Sequence, residues 1–383
     1  INPYYYYYFI YMILLKTKKE TILKSLQSIT SIVERRHSLP ILMNALLSFE
    51  DNKLKLTTSD IEIEIMSVIE IEKLQHDQKL TVSAKKLLDI LKNMSESNLI
   101  VFSYVNERLI ISQNKSKYNL QVLPANEFPL INLPPQPHRI INLPQNKLKK
   151  IVESISFSMA FQDVRYYLNG LFVKIDSNNL VAVATDGHRL AINSEKIKLD
   201  EIQEKEEMEL IIPRKAVLEI LKLCDYSDEN ITLSFYQQHL KFEANSLQII
   251  TKLIDGKYPD YNKVVPEQAL SGVEINRQDF LSCLQRVSIL TADKYRGIKV
   301  HVNKDKIILH STNSEQEEAE EQVLCSDSNL DIKMGFNVTY LIEVLSNVKS
   351  ETIELLLSDP QSSALVLDKS QKNFKYVVMP MRI

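Results

Sequence analysis

Apolar residues recur at three-and-four spacing in six stretches of this chain, and between those stretches apolar and polar residues alternate one for one. The first spacing gathers apolar side chains on one face of a helix, the second on one face of a strand. A first set of helices is predicted over Lys18 to Ile29 (KKETILKSLQSI), Asn146 to Phe157 (NKLKKIVESISF) and Arg277 to Leu290 (RQDFLSCLQRVSIL), with Ile22, Ile151 and Phe280 on their apolar faces. A second set begins at Ser83 (SAKKLLDILKNM), Pro213 (PRKAVLEILKLC) and Asn337 (NVTYLIEVLSNV). Ser83 and Asn337 suit N-caps, and Pro213 suits a first helical turn. IEIEIM (Ile61 to Met66) typifies the alternating segments, with Glu62 and Glu64 expected to face away from Ile61, Ile63 and Ile65.

The second set starts at residues 83, 213 and 337, so its intervals are 130 and 124. Turn residues keep nearly the same period: TTSD ends at Asp60, VATD at Asp186 and HSTN at Asn313, intervals of 126 and 127. Asp and Asn favour such places because their side chains bond the nearby backbone. Asn126 to Pro144 and Gly256 to Gly272 are rich in proline and turn residues and read as linkers. Phe128-Pro129 and Tyr258-Pro259 stand 130 apart, and Met379-Pro380 closes the third copy. The expectation is an α+β chain of three tandem repeated domains, 12–133, 139–265 and 272–383, each with two helices packed on antiparallel sheets. Residues 1–11 (INPYYYYYFIY) are expected to be an upstream extension from a misplaced start, with the folded protein beginning near Met12.

Composition removes several function classes. With six glycines the chain holds neither G-x-x-x-x-G-K nor G-x-G-x-x-G, so nucleotide binding through those loops is excluded. Cys224, Cys283 and Cys325 lie far apart with no C-x-x-C pair, and no histidines pair at ligand spacing; no metal or other cofactor is expected, and a reduced, cytoplasmic protein fits. The apolar run to Leu15 is too short to span a bilayer, so no membrane partner is expected.

The net charge of −3 hides an uneven distribution. Lys18, Lys19 and Lys24, then Lys147, Lys149 and Lys150, lie on first-set helices, while Lys85, Lys86 and Lys92, then Arg214, Lys215 and Lys222, lie on the second set. Asp200 to Glu209 carries six acids to one lysine, and Glu315 to Glu321 carries five acids. Basic helix faces against acidic segments elsewhere suit contact with phosphates without base reading. KSKY (Lys115 to Tyr118) is a basic, aromatic edge-strand pattern that complements Glu315 to Glu321, and terminal domains of opposite charge can join head to tail.

Asp186, His188 and Arg189 admit a competing reading, a hydrolase with Arg189 as electrophilic clamp. No second carboxylate set, metal cluster or activated nucleophile accompanies them, and Asp186 has siblings at Asp60 and Asn313; no catalytic residue is expected. A monomeric scaffold that never closes is a further alternative.

FSMAFQDVRYYLNG (Phe157 to Gly170), ATDGHRLA, IPRKAV, DGKYPDY, SEQEEAEE, GFNVTY and the C-terminal YVVMPMRI, taken in order, resemble the beta sliding clamps of bacterial DNA polymerase III from about Met12 to Ile383. The resemblance implies a head-to-tail homodimeric ring whose helices surround duplex DNA without reading its sequence. Such a clamp is no enzyme. It tethers the polymerase III catalytic subunit, the clamp loader, other polymerases and repair proteins through short peptide motifs. It further implies a peptide groove at Leu168, Thr185, Gly187, His188, Arg189, Leu190, Pro259, Val264, Val377 and Met379, with a neighbouring subsite near Tyr166, Tyr167, Asn337, Tyr340, Ser363, Pro380, Met381 and Arg382. Arg36, Lys85, Gln162, Tyr166, Tyr167 and Arg214 become DNA contacts. Lys86, Arg108, Lys115, Lys117, Tyr118, Ile289, Leu290, Glu315, Glu317, Glu318, Glu320 and Glu321 become the subunit joint. Two departures stand out: Phe161 occupies a place where histidine is common, and lysines replace arginines at 115 and 117, so the joint leans more on Tyr118 against Ile289 and Leu290.

Overall fold

The computed structural model describes residues 12–34, 38–71, 74, 76–176, 179–197, 207–266, 271–292, 295–371 and 373–382. Residues 1–11 and Arg36 therefore lie outside the described residues. One order of elements, β-α-β-β-β-β-α-β-β-β, occurs three times. The first copy holds β1 (Met12–Thr17), α1 (Lys19–Ile29), β2 (Asn44–Glu50), β3 (Lys53–Ser59), β4 (Ile63–Glu70), β5 (Gln78–Ser83), α2 (Ala84–Asn93), β6 (Ile100–Val105), β7 (Arg108–Gln113) and β8 (Ser116–Gln121). The second holds β9 (Arg139–Pro144), α3 (Gln145–Ile155), β10 (Gly170–Ile175), β11 (Asn179–Thr185), β12 (Arg189–Lys196), β13 (Met208–Pro213), α4 (Arg214–Leu223), β14 (Asn230–Phe235), β15 (His239–Ala244) and β16 (Leu247–Lys252). The third holds β17 (Ser271–Asn276), α5 (Arg277–Val287), β18 (Gly297–Asn303), β19 (Lys306–Thr312), β20 (Glu318–Leu324), β21 (Asp331–Asn337), α6 (Val338–Asn347), β22 (Thr352–Leu357), β23 (Ala364–Asp368) and β24 (Phe374–Val378).

Each copy contributes two half-sheets: a medial one from its second to fifth strands, and a flanking one from its first and last three. The chain divides into two compact units, and each contains one antiparallel eight-stranded sheet and one four-stranded sheet. In the first unit, the medial half-sheet of copy one joins the flanking half-sheet of copy two, in the order β5-β2-β3-β4-β16-β15-β14-β9. In the second unit, the order β13-β10-β11-β12-β24-β23-β22-β17 repeats that arrangement with copies two and three. The four-stranded sheets are the halves left over: β1-β6-β7-β8, ending on β8, and β20-β19-β18-β21, ending on β20. The sequence repeats and the compact units thus divide the chain differently.

Helices cover the sheets through the apolar faces their spacing defines. α1 buries Ile22, Leu26 and Ile29, and α5 buries Phe280, Leu281 and Leu284. Ser83 caps α2 by accepting from the Lys86 amide at 3.4 Å, and Asn337 caps α6 by accepting from that of Thr339 at 2.9 Å. α3 and α5 stop short of the predicted ends, and Ser156–Ser158 and Ser288–Leu290 tighten into 3₁₀ turns. Pro213 ends β13 and does not open the helix. The two linker segments are also more structured than their prolines suggest. Arg139–Pro144 is strand β9 and pairs with β14, Tyr261–Val264 forms a 3₁₀ turn, and Tyr258 is buried.

Glu64 departs from expectation. It is buried in β4 beside Ile63 and Ile65, and its Oε2 accepts from the Ile131 amide at 2.9 Å, while Ile61, at φ 78°, is exposed. Burial pushes the Glu64 carboxyl above its ordinary range. A carboxyl whose folded pKa is raised favours the fold below its unfolded value and loses that contribution as pH rises through the folded one. Glu64→Gln, which keeps an acceptor for Ile131, is expected to raise the thermal midpoint near neutral pH by about 2 °C, the gain vanishing below about pH 4. Scanning calorimetry across pH checks this; a gain that grows in acid reverses the sign.

Candidate functional site

The stretch DGHR forms the turn between β11 and β12. Asp186 Oδ1 accepts from the amides of His188 (2.9 Å) and Arg189 (3.0 Å). Its siblings do the same: Asp60 accepts from the amides of Glu62 and Ile63, and Asn313 from those of Glu315 and Glu317. The Asp or Asn side-chain oxygen predicted to shape a turn does so in all three copies. Thr185 Oγ1 donates to the Arg189 carbonyl at 2.6 Å and accepts from the Gly187 amide at 3.0 Å. Gly187 has φ 88°, a dihedral that calls for glycine, while the Arg165 guanidinium that a Cβ would approach could move aside.

Below this turn lies an apolar floor. Leu168, Leu190 and Val377 are buried in one cluster with Phe172, Tyr258 and Leu365, and Tyr167, Tyr261 and Val264 pack on it half-buried. The Tyr258 ring stacks on Phe172 at 4.7 Å. β24 is an interior strand paired to β12 and β23, with Leu190 opposite Val377. The amide of Met379 then donates to the His188 carbonyl (2.9 Å), and that of Met381 to Gly335 (2.9 Å). Met379, Pro380 and Met381 stay half-exposed beside this floor, Pro259 and Arg382 are exposed, and Ser363 is half-exposed just before β23.

Arg189 is buried beside this apolar cluster. Its Nε donates to Asp186 at 3.2 Å, Nη2 donates to the Phe157 carbonyl at 2.8 Å, and Nη1 ion-pairs with Glu343. Its guanidinium carbon lies 5.2 Å from the Phe157 ring centroid and 4.7 Å from that of Tyr340. The Tyr340 ring stacks on His188 at 6.1 Å. Burial pulls the Arg189 pKa down, and Asp186 opposes that pull. Asp186 and Arg189, two of the groups the hydrolase reading would use, are thus engaged in holding the turn, while the His188 ring is exposed and stacks on Tyr340.

Arg165, Asp163, Phe157 and Glu343 received no role from the sequence. Arg165 grips Asp163 at 2.8 Å and donates to the Asp186 carbonyl at 3.0 Å; the guanidinium holds the Asp163 carboxyl down at about 2. The loop so braced presents Phe161, Val164 and Tyr166, which are 72%, 95% and 57% exposed. Gln162 is exposed at φ 55°, and Arg214 donates to the Met159 carbonyl at 2.8 Å with its carbon 5.9 Å from the Phe161 ring. Gln162, Tyr166 and Tyr167 share this loop and Arg214 reaches it from α4, whereas Lys85 sits exposed on α2 in the other unit.

The residues expected at the subunit joint are spread over the two edge strands β8 and β20 and their neighbours, with Lys86 on α2, Arg108 on β7, and Ile289 and Leu290 in the 3₁₀ turn after α5. Lys117 and Tyr118 are on β8 and Lys115 in the preceding turn, while Lys86 and Arg108 line one cavity with Lys85. Glu318, Glu320 and Glu321 are on β20, and Glu315 and Glu317 in the turn before it. Ile289 is 76% exposed and Leu290 half-buried. Glu321 is engaged within its own chain by Arg286, at 2.7 Å and 2.8 Å, so it is less free for a partner than expected.

Three family models of the DNA polymerase III beta subunit match in sequence: the N-terminal domain over residues 13–134, the central domain over 142–260 and the C-terminal domain over 262–382. The chain belongs to the DNA polymerase III beta subunit family. The beta sliding clamp of Pseudomonas putida KT2440 is 37% identical over 366 residues, 96% of this chain and 99% of that protein, and that of Escherichia coli K12 is 34% identical over 367 residues, 96% and 99%. A solved Pseudomonas aeruginosa DNA polymerase sliding clamp with ligand superposes with a TM-score of 0.93 at 36% identity, covering 97% of this chain and 100% of that one. Another solved P. aeruginosa sliding clamp, bound to griselimycin, gives 0.92 at 36% identity with coverage of 97% and 100%. The clamp fold and the role of DNA polymerase processivity factor are those of the family, and nothing supports the hydrolase. No helix among the described residues is long and apolar enough to cross a membrane.

Proposed function

We propose that two copies of this beta subunit close head to tail into a ring around duplex DNA and present the Leu168–Leu190–Val377 groove to short peptide segments of polymerases, the clamp loader and repair proteins. The observation that carries the ring is the count of half-sheets. Two medial halves already meet flanking halves through β4–β16 and β12–β24, and one of each remains open, on β20 and β8. An open strand edge presents unpaired backbone groups that favour a partner.

The closed junctions supply the register of the open one. Glu64 lies opposite Ile250 and Leu190 opposite Val377, and each pairs across its own hairpin with the residue just before the turn, Ser59 and Thr185; in the third copy, whose turn is one residue longer, Thr312 pairs with Glu318, which places Glu318 of one copy opposite Asn119 of the other. Two residues on, Glu320 faces Lys117, and Ala319 faces Tyr118. The residues corresponding to Tyr118, Ile249 and Tyr376, are fully buried in their junctions, while Tyr118 is 36% exposed. Phe157, in the turn after α3, contacts Tyr376 at 6.0 Å, and Ile289 holds the corresponding place after α5. Ile289 therefore belongs against the partner's Tyr118, with charge pairs around it.

Cysteines at positions 117 and 320 test the register, since paired strand residues come within disulfide reach. The chain carrying both Lys117→Cys and Glu320→Cys is expected to oxidise to a covalent ring, and each single variant to stay uncrosslinked. Crosslinking through a pair shifted by two residues, and not through this one, discards the register.

A further inference from the structure

Arg189 is tethered from both sides of the groove. Asp186, its partner on the turn side, belongs to the same turn; Glu343 reaches it from α6. In that second pair, Arg189 Nη1 and Glu343 Oε2 are both shielded from solvent, where a charge deprived of its partner is costly. Tyr340, one turn earlier on α6, covers the guanidinium face and continues the stack to His188. One guanidinium thus ties the β11–β12 turn to the helix.

We propose that Glu343 is a positioning residue that, without touching the ligand, locks Arg189 against Tyr340 and so couples two halves of the groove: the apolar half floored by Leu168 and Leu190, and the helix-side half at Asn337 and Tyr340. This rests on the peptide-groove reading above. A ligand that spans both halves gains from a wall already aligned; a ligand confined to the apolar half does not.

Two synthetic peptides separate these cases on the full chain by fluorescence titration, one with a glutamine and two bulky apolar anchors, the other cut back to the apolar anchors. Glu343→Ala is expected to weaken the spanning peptide about tenfold, the size of an ordinary coupling between sites, and to leave the short one within about twofold. An Arg189 Nη–H signal protected from exchange by the Glu343 contact is expected in nitrogen-edited NMR of the wild type and is expected to be lost in Glu343→Ala, while the Nε–H held by Asp186 stays. Glu343→Gln, which keeps an acceptor of the same length, recovers part of both losses. Equal weakening of both peptides, or an unchanged spanning peptide, overturns the proposal by making Glu343 a general stabiliser or a bystander. A wild-type chain that binds neither peptide sinks the groove reading itself.

Discussion

Ile289→Asp is expected to raise the dissociation constant of the ring about a hundredfold or more and to shift sedimentation from twice the chain mass to the chain mass. Ile289 is 76% exposed in the single chain, so a carboxylate there costs the monomer little. In the ring the same position faces the partner's Tyr118, and the substitution both removes apolar burial of about 1.5 to 3 kcal/mol and buries a charge with no cation of its own. The groove belongs to other elements, so peptide titration of the separated chains is expected to match the wild type. Lys117→Ala, by contrast, removes one rim ion pair worth roughly 0.2 to 1 kcal/mol and is expected to weaken the ring by a few-fold at low salt. A dimer that survives Ile289→Asp intact places the joint elsewhere.

The period of the chain was legible because every repeat obeys the same local rules. Helical spacing at Ile22, Ile151 and Phe280 and the turn residues Asp60, Asp186 and Asn313 leave direct marks in the sequence, and the structure returns both. Strand exchange between repeats leaves no such mark. A flanking half-sheet looks the same whether it pairs with its own repeat or the next, so β4–β16 and β12–β24 emerge only in three dimensions. β9 was hidden for a related reason: Arg139–Pro144 alternates buried and exposed positions, yet the surrounding prolines suggested a linker.

At the groove, residue types were easier to read than roles. Leu168, Leu190 and Val377, which the resemblance assigned to one groove, share one buried apolar cluster. Arg189, grouped with the ligand contacts, is also held in place by Phe157 and Glu343, and that bracing could not be read because these partners stand 32 and 154 positions away in sequence. Glu64 shows the same limit: alternation assigned it to solvent, and a backbone amide from Ile131 made its burial tolerable.

The largest effect is expected from the topology of the DNA and not from its sequence. Basic helices meet phosphates through contacts that weaken steeply with salt, and a chain of net charge −3 has little non-specific attraction to spare. If retention depended on those contacts alone, loaded protein would leave circular and linear DNA at the same rate as salt rises. The proposed enclosure changes the exit route: a closed ring would leave a circle only when the proposed β8–β20 joint opens, but would slide off a free end at once. After loading onto a plasmid and a wash at about 0.5 M salt, where the Debye length is only a few ångströms, most of the protein is expected to remain with the circle. Linearising the plasmid is expected to release it, and Ile289→Asp to abolish retention on both forms. Gel filtration of labelled protein with the DNA reads this directly; equal loss from circle and line would mean that electrostatic contact, and not confinement, holds the protein on DNA.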